Sequence, residues 1–166
     1  MSLDHSIVGV PSEPRERSWG ADEVILYALG VGAGAEDPLD ELSFTTENSH
    51  GVTLQALPTF AVPAIGVGPG RKFGDFDMAR LVHAEQGFRL HSPLPTEAKV
   101  SVTSVVTGMH DKGSGALVTS ETTAHDAETG ALLATTTSGL FIRGEGGFGD
   151  GAAAAQPTDW AIPDSN

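Results

Sequence analysis

The sequence predicts an α+β chain in which a long antiparallel sheet wraps around one short helix. Three observations lead there. From residue 80 onward, four runs alternate apolar and polar residues: "RLVHAEQGFRLH", "AKVSVTSVVTGMH", "GALVTSETTAHD" and "ALLATTTSGLFIR". That period of two marks strands with one buried face. The runs are separated by "SPLP", "DKGSG" and "AETG", turn chemistry that joins strands as antiparallel neighbours. Residues 56–66 are apolar and stand ahead of the runs, the one stretch placed to cover the buried face. A curled sheet around a single helix is the hot-dog arrangement.

The elements can be justified in order. Residues 1–18 are polar, carry Pro11 and Pro14, and read as an extended arm. Ser18 or Asp22 can cap a helix over "DEVILYALGVGAG", with Val24, Tyr27, Ala28 and Val31 at helical spacing. Asp22 and Glu23 lie in its first turn, where the helix dipole favours anions. Gly30, Gly32 and Gly34 end it. "ELSFTTEN" alternates and predicts a short strand. In "LPTFAVPAIGVGPG", Pro63 and the later glycines limit any helix to a short one. "RKFGDFD" reads as a polar loop. In the first long run, Val82, Ala84, Gln86, Phe88 and Leu90 are expected on one face; in the second, Val100, Val102 and Val106. The domain is placed at 19–149, with an arm at 1–18 and a linker or tail at 150–166.

Composition excludes several classes. The formal net charge is −13, and no Lys/Arg-rich run stands against it, which argues against a nucleic-acid partner. An anionic ligand needs a local cation set against that field. There is no cysteine, hence no disulfide and no zinc–thiolate site. The first eighteen residues hold no apolar core of a signal peptide, and no run of about 18 apolar residues offers a membrane span. A soluble, acidic, cytoplasmic chain without a membrane partner is expected.

The chemistry-bearing candidates are few. Asp77 and His83 could activate a water as an acid–base pair. They could equally be a loop carboxylate and a strand residue near the surface. His5, His50, His91, His110 and His125 have no matching partner pattern, and no H-x-x-x-H or carboxylate cluster suggests a metal. No G-x-S-x-G occurs. "HDKGSG" is a tight turn with Lys112 at its apex. The simple reading is a hairpin with a solvated lysine; the functional one is a cation for an anionic ligand. Gly144, Gly146 and Gly149 in "FIRGEGGFGD" spell G-x-G-x-x-G. A dinucleotide fingerprint needs a helix opening at the glycines and an acidic residue about 20 positions on. Only "DGAAAAQPTDWAIPDSN" comes after them, so the motif marks a strand leaving the sheet.

In order, "LYALGVGAG", "LPTFAV", "VHAEQ", "SPLP", "DKGSGALV" and "FIRGEGGFG" resemble the N-terminal half of the MaoC-like (R)-specific enoyl-CoA hydratases. These include hydratase 2 of the peroxisomal multifunctional enzyme and the two-hot-dog hydratases of actinobacterial fatty-acid and steroid degradation. The resemblance covers roughly residues 15–164. It implies a pair of hot-dogs that adds water to a trans-2-enoyl-CoA, giving a (3R)-3-hydroxyacyl-CoA without a metal or redox cofactor; CoA is part of the substrate. The catalytic Asp and His of such enzymes lie in the second hot-dog, in a D-x-N-P-x-H motif. The first supplies the acyl-tail pocket, and its central helix is often reduced. A ligand-contacting His-Gly pair falls on His83 and Ala84, so the His matches and the Gly does not. A ligand-contacting Lys falls on Lys112.

The chain contains no N-P-x-H, so no catalytic residue is assigned to it. The resemblance implies a catalytic hot-dog partner, as a separate subunit in a dimer or heteromer or as the continuation of a longer protein. The alternative is a stand-alone acyl-CoA binding or regulatory hot-dog. A hot-dog thioesterase ranks below both, because "LPTFAVPAIG" offers no carboxylate near the helix start.

Overall fold

A computed structural model describes residues 2–66 and 72–149. In chain order the strands are β1 (Ser2–Leu3), β2 (Arg15–Trp19), β3 (Gly74–Asp75), β4 (Leu81–Leu90), β5 (Ala98–Asp111), β6 (Gly115–Asp126) and β7 (Leu132–Arg143). The helices are α1 (Ala21–Gly30), α2 (Leu42–Thr45) and α3 (Ala61–Ile65). Five strands form one antiparallel sheet in the order β2-β5-β6-β7-β4, and β1 pairs with β3 apart from it. The predicted α+β hot-dog is therefore the fold. Among the described residues no helix is long and apolar enough to cross a membrane.

The long strands form because Val, Leu and Thr alternate along them, and the turns between them close by local chemistry. At the β6–β7 turn, Asp126 Oδ1 accepts from the Glu128 and Thr129 amides at 3.1 and 2.7 Å, an Asx-type turn. Three residues, Lys112–Ser114, join β5 to β6, and Gly113 takes the positive φ (72°) that the corner requires. Even-numbered residues of β5 face the core from Val100 to Val106. A bulge between Val106 and Gly108 then shifts the phase, so that odd-numbered Met109 is buried as well as Gly108. A second bulge, between His83 and Glu85, corrects the expected face of β4. Leu81 and His83 stand opposite Ile142 and Leu140, while Gln86, Phe88 and Leu90 stand opposite Ser138, Thr136 and Ala134. Val82 and Ala84 are thus not on the face of Gln86, Phe88 and Leu90, because one extra residue inverts the alternation.

The core face is covered from its two ends. At one end, Phe60, Ala61 and Ile65 of the α3 region pack with Trp19, Val24, Val100, Val102, Ala124 and Ala134. Pro63 sits in the first turn of α3, where its missing N–H costs little, and the helix ends after five residues. At the other end, Leu3 and Phe73 pack on Val106, Met109, Val118 and Ile142, with Ile7, Val8 and Phe148 joining them. The expected arm is extended, but it is built into the sheet's edge and core: β2 pairs with β5, and Gly9 N and Ser12 N donate to the Val106 and Ser104 carbonyls at 2.8 Å each. The "RKFGDFD" loop likewise buries Phe73 and supplies β3. Between the two apolar ends lies a band of hydroxyls. Ser104 and Thr122 meet at 2.8 Å, and Ser120 and Ser138 at 2.9 Å. Pairing removes the cost of burying them.

Other expectations shift locally. Gly20 caps α1, and Glu23 reaches back to accept from its amide at 2.9 Å. Val24 and Ala28 are buried as expected, but Val31 is 58% exposed. "ELSFTTEN" is not a strand: Leu42–Thr45 is a single helical turn, since no neighbouring strand among the described residues offers it a ladder.

Truncating the buried helix end tests this architecture. Ile65→Ala should cost roughly 2–5 kcal/mol in urea unfolding, the range for deleting a packed aliphatic side chain. Lys99→Ala removes an ion pair to Glu16 at 2.9 Å between groups that are 59% and 72% exposed. It should cost less than about 1 kcal/mol.

Candidate functional site

The β5–β6 turn, the end of β7 and the start of β4 lie at the same end of the sheet. Asp111 stands opposite Ala116, Ala116 opposite Ile142, and Ile142 opposite Leu81. His83 and Lys112 therefore share this end. With strands roughly 4.8 Å apart, they are separated by about 10–15 Å across the sheet.

His83 projects from β4, an edge strand of the sheet, on the same face as Leu81. Its Nε2 lies 3.2 Å from Gln86 Oε1. The Gln86 amide nitrogen donates to the carbonyls of Thr137 and Gly87 at 2.8 and 3.2 Å. Gln86 Oε1 is thus left as the acceptor for an N–H at His83 Nε2. Asp77 takes no part. Its carboxylate accepts from Ala79 N at 3.0 Å and faces Arg80 at 4.0 Å. Glu85 lies across the bulge, against Gly139, on the opposite face from His83. The Asp77–His83 pair that could activate water is therefore not assembled. Ala84 sits in the bulge, exposed, with no positive φ. An alanine is tolerated at that position. Gln86 is the residue that sequence spacing missed. Its signal was the "HAEQ" run itself, unreadable without knowing that the bulge brings positions 83 and 86 to one face.

Lys112 is exposed at the apex of its turn. Its backbone is fixed from both sides: its amide donates to the Gly115 carbonyl at 2.9 Å, and its carbonyl accepts from Ser114 N at 2.8 Å. Among the described residues the ion pairs are Arg80–Asp77 and Lys99–Glu16, and Lys112 is in neither, although the Arg80 guanidinium stands beside Gly144 at this same end. Arg143 is exposed opposite Gly115, one step from the same turn. Against a net charge of −13, this corner supplies local cations. No group of three or more His, Cys, Asp or Glu able to hold a metal occurs among the described residues.

The glycine motif has an occupant. After Arg143 the chain folds back over the Lys112 turn, and Gly144 N donates to the Ser114 carbonyl at 2.8 Å. A Cβ on Gly146 would stand 2.5 Å from the Gly113 carbonyl and 2.7 Å from that of Gly115, so only glycine allows this approach. Gly147 and Gly149 have φ of 88° and 74°, which turns their amides inward. Gly147 N donates to Asp111 Oδ1 at 2.9 Å and Gly149 N to Oδ2 at 2.7 Å. Gly113 N reaches Oδ1 as well, at 2.7 Å. Convergent amides of this kind form an anion nest. Here the anion is the chain's own carboxylate.

Those amides hold the Asp111 pKa below its ordinary value of 3.8, the bond from Gly147 contributing most, then Gly113 and Gly149. A depressed carboxylate pKa means that the interaction is fully present above the ordinary value and is lost as pH falls through the folded one. The Gly147 and Gly149 amide resonances should therefore report a single titration with a midpoint below 3.8. A midpoint at or above that value would show that the nest does not hold the anion.

Known proteins are similar to this chain in sequence and in fold. Residues 18–144 match the family model described as MFE-2 hydratase 2 N-terminal domain. The 3-hydroxyacyl-thioester dehydratase Y of Mycobacterium tuberculosis is 44% identical over 99% of this chain and 56% of its own length. The enoyl-CoA hydratase ChsH3 of the same organism is 36% identical over 90% of this chain and 53% of its own. The chain thus spans about half the length of these curated relatives. A crystal structure of a MaoC-like dehydratase from Phytophthora capsici superposes with a TM-score of 0.75 over 99% of this chain and 57% of that one, at 22% identity, and shares the fold. The family match runs from the end of β2 through β7 and includes His83, Gln86 and the Lys112 turn; on that ground, this chain belongs to the family of the MFE-2 hydratase 2 N-terminal domain.

Proposed function

We propose that this chain is the non-catalytic hot-dog half of a (3R)-specific trans-2-enoyl-CoA hydratase of fatty-acid or steroid side-chain degradation. The observation that carries the proposal is the corner at the β5–β6 turn. It holds an exposed lysine on a braced turn, outside the ion pairs of the described residues, and a histidine oriented by an amide, with no acid–base pair beside them. Such a corner can bind a CoA ester and orient it, but it does not assemble a base for water. Family membership and the relatives' length support a second hot-dog that supplies the base.

In the proposed assembly, Lys112 meets a phosphate of the CoA moiety, and His83 meets the pantetheine arm beside Ala84. The catalytic Asp and His stand on the partner hot-dog. They deprotonate a water whose oxygen bonds to C3 of the enoyl group, while C2 receives a proton. The substrate brings its own CoA, and the reaction draws on no other cofactor. The edge of β4 is where a second sheet would add, because its outer backbone groups have no strand beside them among the described residues. The acyl tail would lie toward the hydroxyl band, where a full-length hot-dog helix would otherwise pack.

Co-expression with a hot-dog bearing D-x-N-P-x-H should yield hydration of crotonyl-CoA or a longer enoyl-CoA, with almost none from this chain alone. Normal turnover by the isolated chain would overturn the division of labour. Tight acyl-CoA binding without activity in any pairing would favour a binding module instead. In the assembled enzyme, Lys112→Ala should raise KM about three- to tenfold, a larger effect than on kcat, as expected for one charge-assisted contact near solvent. The loss should shrink with added salt. Ala84→Gly should lower KM by about twofold if the methyl narrows the approach of the pantetheine arm, since one buried methylene-sized contact is worth about 1 kcal/mol at most there.

A further inference from the structure

Asp111 and Lys112 are adjacent in sequence, and no ion pair among the described residues joins them. The carboxylate has another set of partners. Asp111 Oδ1 is shared between Gly113 N, inside the turn, and Gly147 N, in the segment that leaves the sheet, at 2.7 and 2.9 Å. Oδ2 takes Gly149 N at 2.7 Å. One carboxylate thus bridges two pieces of chain more than 30 residues apart in sequence. The bridge is reinforced on both sides. Gly144 N donates to the Ser114 carbonyl, and Gly146 lies flat on the carbonyls of Gly113 and Gly115. Phe148 packs into the apolar cluster beneath and meets the His5 ring edge-on, with centroids 4.7 Å apart.

We propose that Asp111 is a positioning residue for CoA-ester binding: seated on the Gly147 and Gly149 amides, it locks the Lys112 turn to the exit segment and is itself withheld from the lysine. The proposal rests on the reading of Lys112 as a phosphate contact and adds what makes that lysine available. One geometry has two effects. The turn is held in a single conformation, so the ligand does not have to order it on binding. The carboxylate's oxygens are taken by amide donors, and Lys112 is in no ion pair among the described residues, so its hydrogen-bond donors are open to a phosphate. The glycine motif therefore serves an anionic ligand indirectly, by absorbing the anion that would compete for it.

The test uses this chain assembled with its catalytic half. Asp111→Ala, Asp111→Asn, Lys112→Ala and the Asp111→Ala/Lys112→Ala double variant are compared on an enoyl-CoA and on the matching N-acetylcysteamine thioester, which has no phosphate. Asp111→Ala should raise KM for the CoA ester about fivefold and leave KM for the truncated thioester unchanged. In the Lys112→Ala background it should add less than about twofold, since residues acting through one another are not additive. Asp111→Asn keeps the shape and an acceptor oxygen and should fall between; it also serves if the alanine variant does not fold. Equal losses on both substrates, or fully additive losses, would mean that Asp111 only stabilises the fold. An unchanged KM in Asp111→Asn and Asp111→Ala, where Lys112→Ala raises it, would overturn the positioning role and leave the reading of Lys112 intact. No effect of Lys112→Ala on the CoA ester would sink both.

Discussion

One sheet face must leave water, and there is very little helix to cover it. That constraint organises the rest of the molecule. The strands β5, β6 and β7 are 14, 12 and 12 residues long, whereas α3 has five residues. A helix of that length reaches about 8 Å, against about 45 Å for the longest strand. The remaining face is closed at its far end by the N-terminal residues, Phe73 and Phe148. Between the two apolar ends the face turns polar, and its hydroxyls satisfy one another in cross-strand pairs. The interior of this hot-dog is therefore divided along the strands, apolar at both ends and hydroxyl-lined in the middle.

The far end is also where the candidate ligand groups sit, and the two facts are connected. Because the terminal segments close the core there, the exit segment after β7 is pressed onto the β5–β6 turn instead of leaving the sheet freely. Its glycines can then reach Asp111, and Asp111 in turn shapes the loop that carries Lys112. The electrostatics are local throughout. A chain with a net charge of −13 repels a polyanionic ligand at long range, but screening confines that repulsion to about a Debye length, roughly 8–10 Å. A lysine outside the ion pairs of the described residues, on a braced turn, can act inside that distance.

Family membership and fold rest on features of different scale. The strands were legible because each repeats its alternation many times and each turn has its own chemistry: Gly113 at one corner, Asp126 at another. The short helix was legible for the same local reason, Pro63 and the glycines after it. The bulges in β4 and β5 were not. Nothing in "VHAEQ" distinguishes an alternating run from one that skips a residue, because a bulge is decided by pairing with β7. That single extra residue separated His83 from Glu85 and joined it to Gln86. The strand expected at "ELSFTTEN" failed for a similar reason: alternation makes a strand only where a neighbour supplies the ladder.

By itself the sequence determined the fold class, the order of the strands' turns, the brevity of the helix and the identity of the residues that match a hydratase half, since all of these are written in local periodicity and local turn chemistry. It also argued against a dinucleotide site at G-x-G-x-x-G, because Pro157 interrupts the stretch where that fingerprint opens a helix. Only the tertiary structure decided what those glycines hold. The Gly147 and Gly149 amides converge on Asp111 because the end of β7 and the end of β5 meet at one corner of the sheet. No spacing along the chain encodes that meeting, which exists only once the strands have paired.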